Sequence, residues 1–452
     1  MSQPGFAAII LAAGNGTRMK SALPKVMHQL AGRPMIAHLL DALRPLGPVA
    51  TVVVIGPRME TLAHLVEPAQ SVVQDPPLGT GDAARVGLAA LDGRLAPRGS
   101  IQDVLVLLGD AALLSTETLS MLLTEQRRRI EAAVLVAASR PDDPGAYGRL
   151  VLGPDGGLER IVEAADASPR ELAIPLVNGG VMAIAARHAG ELVAALDRNN
   201  ARGELYLTDI VAVARRRGLS CRAVELPVDE PIGIDSRADL AEAEAVMQQR
   251  LRGAAMAGGV TLTAPATVFL SADTRLGRDV VIEPNVVFGP GVTVGEGARI
   301  GSFCHLEGAS IGPGAIVGPF ARLRPGAVLE TGVHVGNFVE IKQARLGAGA
   351  KASHLSYIGD STVGAGANIG AGTITCNYDG VSKHRTTIGE GAFIGSNTAL
   401  VAPVTVGAGA IVAAGSTVTR DVPADALTLA RGQQVDKPGR AIEMRARPRR
   451  KV

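Results

Sequence analysis

Residues 275–306 read RLGRDVVIEPNVVFGPGVTVGEGARIGSFCHL. Every sixth residue, Leu276, Ile282, Phe288, Val294, Ile300 and Leu306, is apolar. A one-residue deletion resets the phase to Ile311, Val317, Leu323, Leu329, Val335 and Ile341, and a third run holds Ile388, Ile394, Leu400, Val406, Val412 and Val418. Since about half of all residues are apolar, 18 matches in 18 positions would arise by chance about four times in a million. Glycine often follows the apolar residue, as at Gly277, Gly289, Gly295, Gly301, Gly312, Gly395 and Gly407. A small residue there permits a tight corner, and the apolar one fills the interior of each coil. The pattern predicts a parallel β-helix of hexapeptide repeats over 260–432. It breaks twice. Residues 346–362 fit poorly, and 377–387, containing NYDGVSKHR, read as an insertion that emerges as a loop on the binding face.

Upstream the pattern changes. Phe6–Ala13, Thr51–Ile55, Val104–Leu108 and Ala132–Ala138 read as buried strands, and Met35–Leu43 and Thr116–Arg129 have helical spacing. Alternation of this kind predicts an α/β domain over 1–235 with a mostly parallel sheet and its ligands at the carboxyl ends of the strands. Leu240, Ala243, Met247, Leu251 and Ala254 mark a helix within 236–259, closed by Gly258-Gly259 and capped by Ser236 or Asp235. It serves either as a linker or as the last helix of the first domain. The tail, 433–452, is basic and proline-bearing, and reads as a disordered end.

Composition removes several function classes. The 45 basic and 43 acidic residues nearly balance, which gives no global pull toward nucleic acid or anionic membrane. Cys221, Cys304 and Cys376 lie far apart, without metal or disulfide spacing, and suit a reducing compartment. The run Phe6–Ala13 is too short to cross a membrane and has no basic residue before it. Together these point to the cytoplasm. The 55 glycines and absence of tryptophan fit a repeat core of small aliphatics.

LAAGNGTRM begins at Leu11, at the end of the first strand. Gly14 and Gly16 let backbone N–H groups approach phosphate oxygens, and Arg18 adds a fixed positive fork. Met19 stands where a dinucleotide fingerprint has its third glycine, and the GK[ST] of a Walker loop is missing. Lys25 follows as a point charge for a second phosphate. Asp110 ends the apolar strand VLVLLGD.

LAAGNGTRM…PK resembles the signature of sugar-nucleotidyltransferases, in which a sugar 1-phosphate oxygen attacks the α-phosphate of a nucleoside triphosphate and releases pyrophosphate. The resemblance implies that Leu11, Ala12, Ala13, Gly14 and Lys25 line the nucleotide, with Arg18 and Lys25 catalytic and Mg²⁺ held by Asp110 and Asp235. In QDPPLGTGDA it implies Gln74, Gly79 and Thr80 near the base. Gly148 in AYGRL, Glu163 in IVEAADAS and Asn178 in VNGG would hold the sugar. Pro77, Ala112, Ala165 and Gly179 depart from the pattern and bear on base and sugar selectivity.

The hexapeptide region resembles the left-handed β-helix acyltransferases, which are commonly trimers. GAGTITCNYDGVSKHRT, from Gly370, is nearly those enzymes' own sequence. Taken together, residues 6–432 resemble a bacterial family of bifunctional enzymes. These acetylate glucosamine 1-phosphate from acetyl-coenzyme A, then join the product to UTP. The likeness implies His354 as general base, for which imidazole has a suitable pKa. It assigns Arg324, Lys342, Tyr357 and Asn368 to the amino-sugar phosphate. It assigns Ala371, Asn377, Tyr378, Lys383, Ser396, Ala414 and Arg431 to acetyl-coenzyme A. It also implies small-molecule substrates and a homotrimer, with neither nucleic acid nor membrane insertion. Two other readings stay open on sequence: an acetyltransferase with an altered first domain, and a pyrophosphorylase whose β-helix is only a scaffold.

Overall fold

The computed structural model describes residues 5–446 apart from 15, 92, 97–98, 130, 228–229 and 231–232. Residues 447–452 of the basic tail lie outside the described residues. The chain forms two compact units, Met1–Arg250 and Leu251–Val452.

In the first unit, apolar runs without alternation become strands buried on both faces, as expected for a sheet covered by helices. The sheet comprises β1 (Gly5–Ala12), β2 (Ala50–Ile55), β3 (Gln70–Val73), β4 (Ile101–Leu108), β5 (Ala132–Ser139), β6 (Arg149–Leu152), β7 (Leu158–Val162), β8 (Val177–Ala185) and β9 (Ser220–Glu225), of which β1, β4, β5 and β8 are the most deeply buried and β3 is exposed. The sheet order is β9-β5-β8-β4-β1-β2-β3, with the β6–β7 pair attached to β8. β1 runs parallel to β2 and β4, while β8 is antiparallel to β4 and β5. The start of β8 therefore lies beside the carboxyl end of β4. Alternate residues of β1 enter two cores, Ala7 and Ile9 on one face and Phe6, Ala8 and Ile10 on the other.

The helix Arg237–Ala257 begins with Ser236 as its cap, its Oγ accepting from the N–H of Asp239 at 3.2 Å. Leu240, Ala243 and Met247 join a cluster with Met19, Leu30, Ala112 and Ile234 in the first unit. Leu251 and Ala255 pack on the core of the second.

In the second unit all the six-spaced residues except half-buried Leu276 are buried in one core. Among the described residues, the coils build three parallel sheets of ten, eight and eight strands. On one sheet the in-register column runs Ile282, Ile300, Val317, Val335, Ala352, Ile369, Ile394, Val412. Its steps are 17 or 18 residues, except for 25 between Ile369 and Ile394, where the 377–387 loop leaves the helix. Residues 346–362, which break the six-residue rhythm, nonetheless continue the coils: Leu346 pairs with Val363, Ile341 with Ile358, and Ala352 takes an interior place. A coil of 17 residues disturbs the phase while leaving the fold intact. Corner residues of successive coils adopt left-handed φ, including Asn285, Phe303, Phe320, Phe338 and Leu355. The short helix Arg440–Ala446 has no buried residue.

Candidate active sites

The first site forms where β1 and β4 end side by side, Leu11 being in register with Leu108. The N–H of Gly109 donates to Leu11 O, which brings the next residue, Asp110, beside the loop after β1. Gly16 has φ of 60°, and a Cβ there would stand 2.6 Å from the Cβ of Lys25. Glycine is thus needed both for the turn and for the approach of the lysine. Lys25 Nζ donates to Asp110 Oδ2 and, at 2.7 Å, to Asp235 Oδ1, while Arg18 Nη2 pairs with Asp235 Oδ2 at 2.8 Å. Burial pulls the Lys25 pKa down, but the two carboxylates outweigh it and hold the ammonium above its ordinary range.

Asp110 Oδ1 is buried and has no hydrogen-bond partner. Two carboxylates within reach of one ammonium, one of them with an unused oxygen, fit a divalent cation. Among the described residues no three His, Cys, Asp or Glu side chains gather as a metal cage. A hard cation here would complete its shell from phosphates and water, as Mg²⁺ does.

Around this point the other sequence-derived residues fall into two groups. Gly148, Glu163 and Asn178 meet: Asn178 N donates to Gly148 O at 2.8 Å, and a Cβ on Gly148 would be 3.6 Å from the Glu163 carboxylate. Glu163 also accepts from the Thr208 hydroxyl at 2.8 Å. Gln74, Gly79 and Thr80 form the second group. Gln74 Nε2 donates to Gly79 O and Asp82 Oδ2 at 3.0 and 2.8 Å, and Thr80 Oγ1 accepts from Leu207 N. A Cβ on Gly79 would lie 2.5 Å from Leu205 O, so the GTGD and GELYLTD stretches close on each other. Of the four departures, Ala112 is buried beside Met19 and Ile234, Gly179 is buried in β8, and Pro77 and Ala165 are exposed.

Sequence reasoning missed Arg149. Its buried guanidinium donates to the carbonyls of Pro144, Gly145, Tyr147 and Leu172. The signal was present in AYGRL, where an arginine opens an otherwise apolar strand.

The second site lies on the β-helix. The strands Arg322–Leu323, Glu340–Lys342, Tyr357–Gly359 and Ile374–Cys376 share one sheet. Arg324 Nη1 pairs with Glu340 at 2.8 Å. Lys383, on the inserted loop, comes within hydrogen-bonding reach of Lys342. These like charges, with Arg324 nearby, hold Lys342 below the usual lysine range. Lys383, expected to serve acetyl-coenzyme A, thus lies beside a residue expected to serve the sugar phosphate. Asn377 Nδ2 reaches Asp360 Oδ2 and, at 3.4 Å, the Tyr357 hydroxyl. Tyr378 donates its hydroxyl to Gly380 O at 2.6 Å. Asn368 stands on the adjoining sheet, in register with Lys351 and Phe393.

His354 ends the strand Lys351–His354 at the corner between these two sheets, with its ring exposed. Backbone bonds follow this corner from coil to coil: Leu355 N to Asn337 O, Gly372 N to Leu355 O, Asn397 N to Ala371 O, and Gly415 N to Ser396 O. Arg431 Nη1 then donates to Ala414 O at 2.7 Å. His354, Ala371, Ser396 and Ala414 are thus successive rungs of one column, and the Arg431 side chain reaches its far end. With coils about 4.8 Å apart, its three steps span roughly 14 Å. The column has an imidazole at one end, a guanidinium at the other and small side chains between.

These features define a nucleotidyltransferase joined to a hexapeptide-repeat acyltransferase. The MobA-like NTP transferase domain family matches residues 8–209, and the bacterial transferase hexapeptide family (six repeats) matches 273–308 and 385–420. The chain is 57% identical over 438 residues to the bifunctional protein GlmU of Acidiphilium cryptum, covering 97% of this chain and 98% of that one. It is 58% identical to the GlmU of Rhodospirillum rubrum, covering 98% of each. The GlmU of Paramagnetospirillum magneticum is 53% identical, with 99% of this chain and 98% of that one covered. The chain belongs to the bifunctional GlmU family.

Proposed function

We propose residue roles for the two reactions of this bifunctional transferase. The chain transfers acetyl from acetyl-coenzyme A to glucosamine 1-phosphate, then transfers uridylyl from UTP to the N-acetylglucosamine 1-phosphate formed. In the first reaction, His354 takes a proton from the amine as nitrogen attacks the thioester carbonyl; the C–N bond forms and the C–S bond breaks. Arg324, Lys342 and Lys383 neutralise the sugar phosphate, and Tyr357 and Asn377 orient the ring. Coenzyme A lies along Ala371, Ser396 and Ala414, its phosphates toward Arg431. The observation that carries this reading is the single column that joins the base to these small residues. Asn368 adds to the sugar site and Tyr378 to the acetyl end of the cofactor site.

In the second reaction, Arg18 and Lys25 hold the triphosphate while the sugar phosphate oxygen attacks the α-phosphorus and pyrophosphate leaves. Mg²⁺ on Asp110 and Asp235 would neutralise the charge of the reacting phosphates. Gly148, Glu163 and Asn178 receive the sugar, and the Gln74–Thr80 loop faces the base.

A homotrimer and a cytoplasmic setting complete the reading. Phe303, Phe320 and Phe338 stack in an exposed ladder beside the His354 column, with centroids 4.9 and 5.1 Å apart, and supply apolar surface for a second copy. Among the described residues no helix is long and apolar enough to cross a membrane. The test supplies glucosamine 1-phosphate, acetyl-coenzyme A, UTP and Mg²⁺, and follows free thiol and pyrophosphate separately. Both products are expected, with pyrophosphate dependent on prior acetylation and thiol abolished by His354→Ala. Thiol release that survives His354→Ala overturns the assignment of the base.

A further inference from the structure

Asn337 stands one coil before His354, in register with it on the parallel strand His334–Asn337. Its Oδ1 lies 2.7 Å from His354 Nδ1, and the backbone bond from Leu355 N to Asn337 O, at 3.0 Å, locks the two rungs together. Gly336 makes this approach possible, since a Cβ there would fall 1.9 Å from Ser353 O. The Ser356 hydroxyl donates to His354 O at 2.9 Å and fixes the other side of the corner. The positions in register with His354 on the neighbouring coils are Asn337 and Ala371, both uncharged.

We infer that Asn337 is a positioning residue for acetyl transfer, its amide oxygen holding the proton of His354 on Nδ1 so that Nε2 carries the lone pair. An imidazole works as a base only through its unprotonated nitrogen, and the partner of the other nitrogen selects the tautomer. An exposed ring with no such partner would rotate and divide its population between tautomers. Asn337 touches neither the acetyl carbon nor the amine. It acts through His354, and the inference therefore rests on His354 being the base.

The test compares Asn337→Leu with Asn337→Asp in the full chain, measuring thiol release against pH with both substrates varied. Leucine keeps bulk and loses the acceptor. Its kcat is expected to fall about 10- to 100-fold with KM values little changed. Aspartate can only accept, so it is expected to restore most of the rate. Its negative charge should also move the acidic limb of the kcat profile upward by on the order of one pH unit. Melting temperature and oligomeric state serve as the folding control. Wild-type kcat and pH profile in Asn337→Leu overturn the inference while leaving His354 as the base. Equal loss in both variants also overturns it, because shape or an amide donor would then explain the effect. A silent His354→Ala removes the reading on which it rests, and is distinguishable from either result.

Discussion

Asp239 accepts the backbone N–H of Asp235 at 2.9 Å through the same Oδ2 that takes the N–H of Ser236 at 2.8 Å. Ser236 returns the bond to Asp239 N, so the helix start is closed by a reciprocal cap. Burial alone would raise the Asp239 pKa, but these hydrogen bonds overcome it and hold the carboxyl below its usual range. Since Ser236 serves as the cap, the Asp235 carboxylate is left to Lys25 and Arg18.

Asp239→Ala is therefore expected to release Asp235 without touching substrate. Uridylyl transfer should drop about 10- to 100-fold, with a higher Mg²⁺ requirement, as when a partner that orients a metal ligand is lost. Acetyl transfer by the same preparation should be unchanged. Pyrophosphate release measured against Mg²⁺ concentration checks this; an unchanged curve contradicts the role given to the cap.

Arg149 leads to a second prediction. Its fork holds the carbonyls of the loop that presents Gly148, so its hydrogen bonds go to backbone oxygens. Lysine retains the charge and loses the fork. Arg149→Lys should raise KM for N-acetylglucosamine 1-phosphate more than it changes KM for UTP. Equal rises in both, or none, would separate this residue from the sugar loop.

Much of this was legible before any coordinate. The six-residue rhythm led directly to the interior column, and LAAGNGTRM with VLVLLGD led to adjoining strand ends. What escaped depended on pairing between distant segments. That β8 runs antiparallel cannot be read from VNGGVMAIA, whose side-chain pattern is the same in either direction. The partnership of Asn337 with His354 needed the register between coils, and the 17-residue step at Ala352 hid it by breaking the six-residue phase. Lys383 met Lys342 only because the inserted loop folds back, which no periodicity records.

The small-residue column can be tested at Ala414, an exposed corner rung between Ser396 and Arg431. A bulky side chain there faces solvent and leaves the buried core of Val412 and Val418 untouched. Ala414→Phe is expected to raise KM for acetyl-coenzyme A at least about tenfold with kcat, melting temperature and uridylyl transfer preserved, because the block lies far from the base. A fall in kcat alone would place the cofactor elsewhere.

Asp209, in the GELYLTDI segment, gives the pH prediction. Burial first, then repulsion from Asp197, Glu163 and Asp166, pushes its carboxyl up to about 6. The unfolded chain ionises this group near its ordinary pKa of about 4, whereas the folded chain resists until about 6. Below that window both states are protonated and the group has no effect. As pH rises through it, the unfolded state loses its proton first, so stability falls, and above it the penalty is constant. Asp209→Asn removes the charge and keeps the shape. Its melting temperature should match wild type near pH 4 and exceed it by a few degrees at pH 7, as followed by calorimetry of the full chain. A variant that melts below wild type at pH 7 would mean that ionised Asp209 is paired rather than repelled, and that the acidic cluster around Glu163 is held by a contact of the opposite sign.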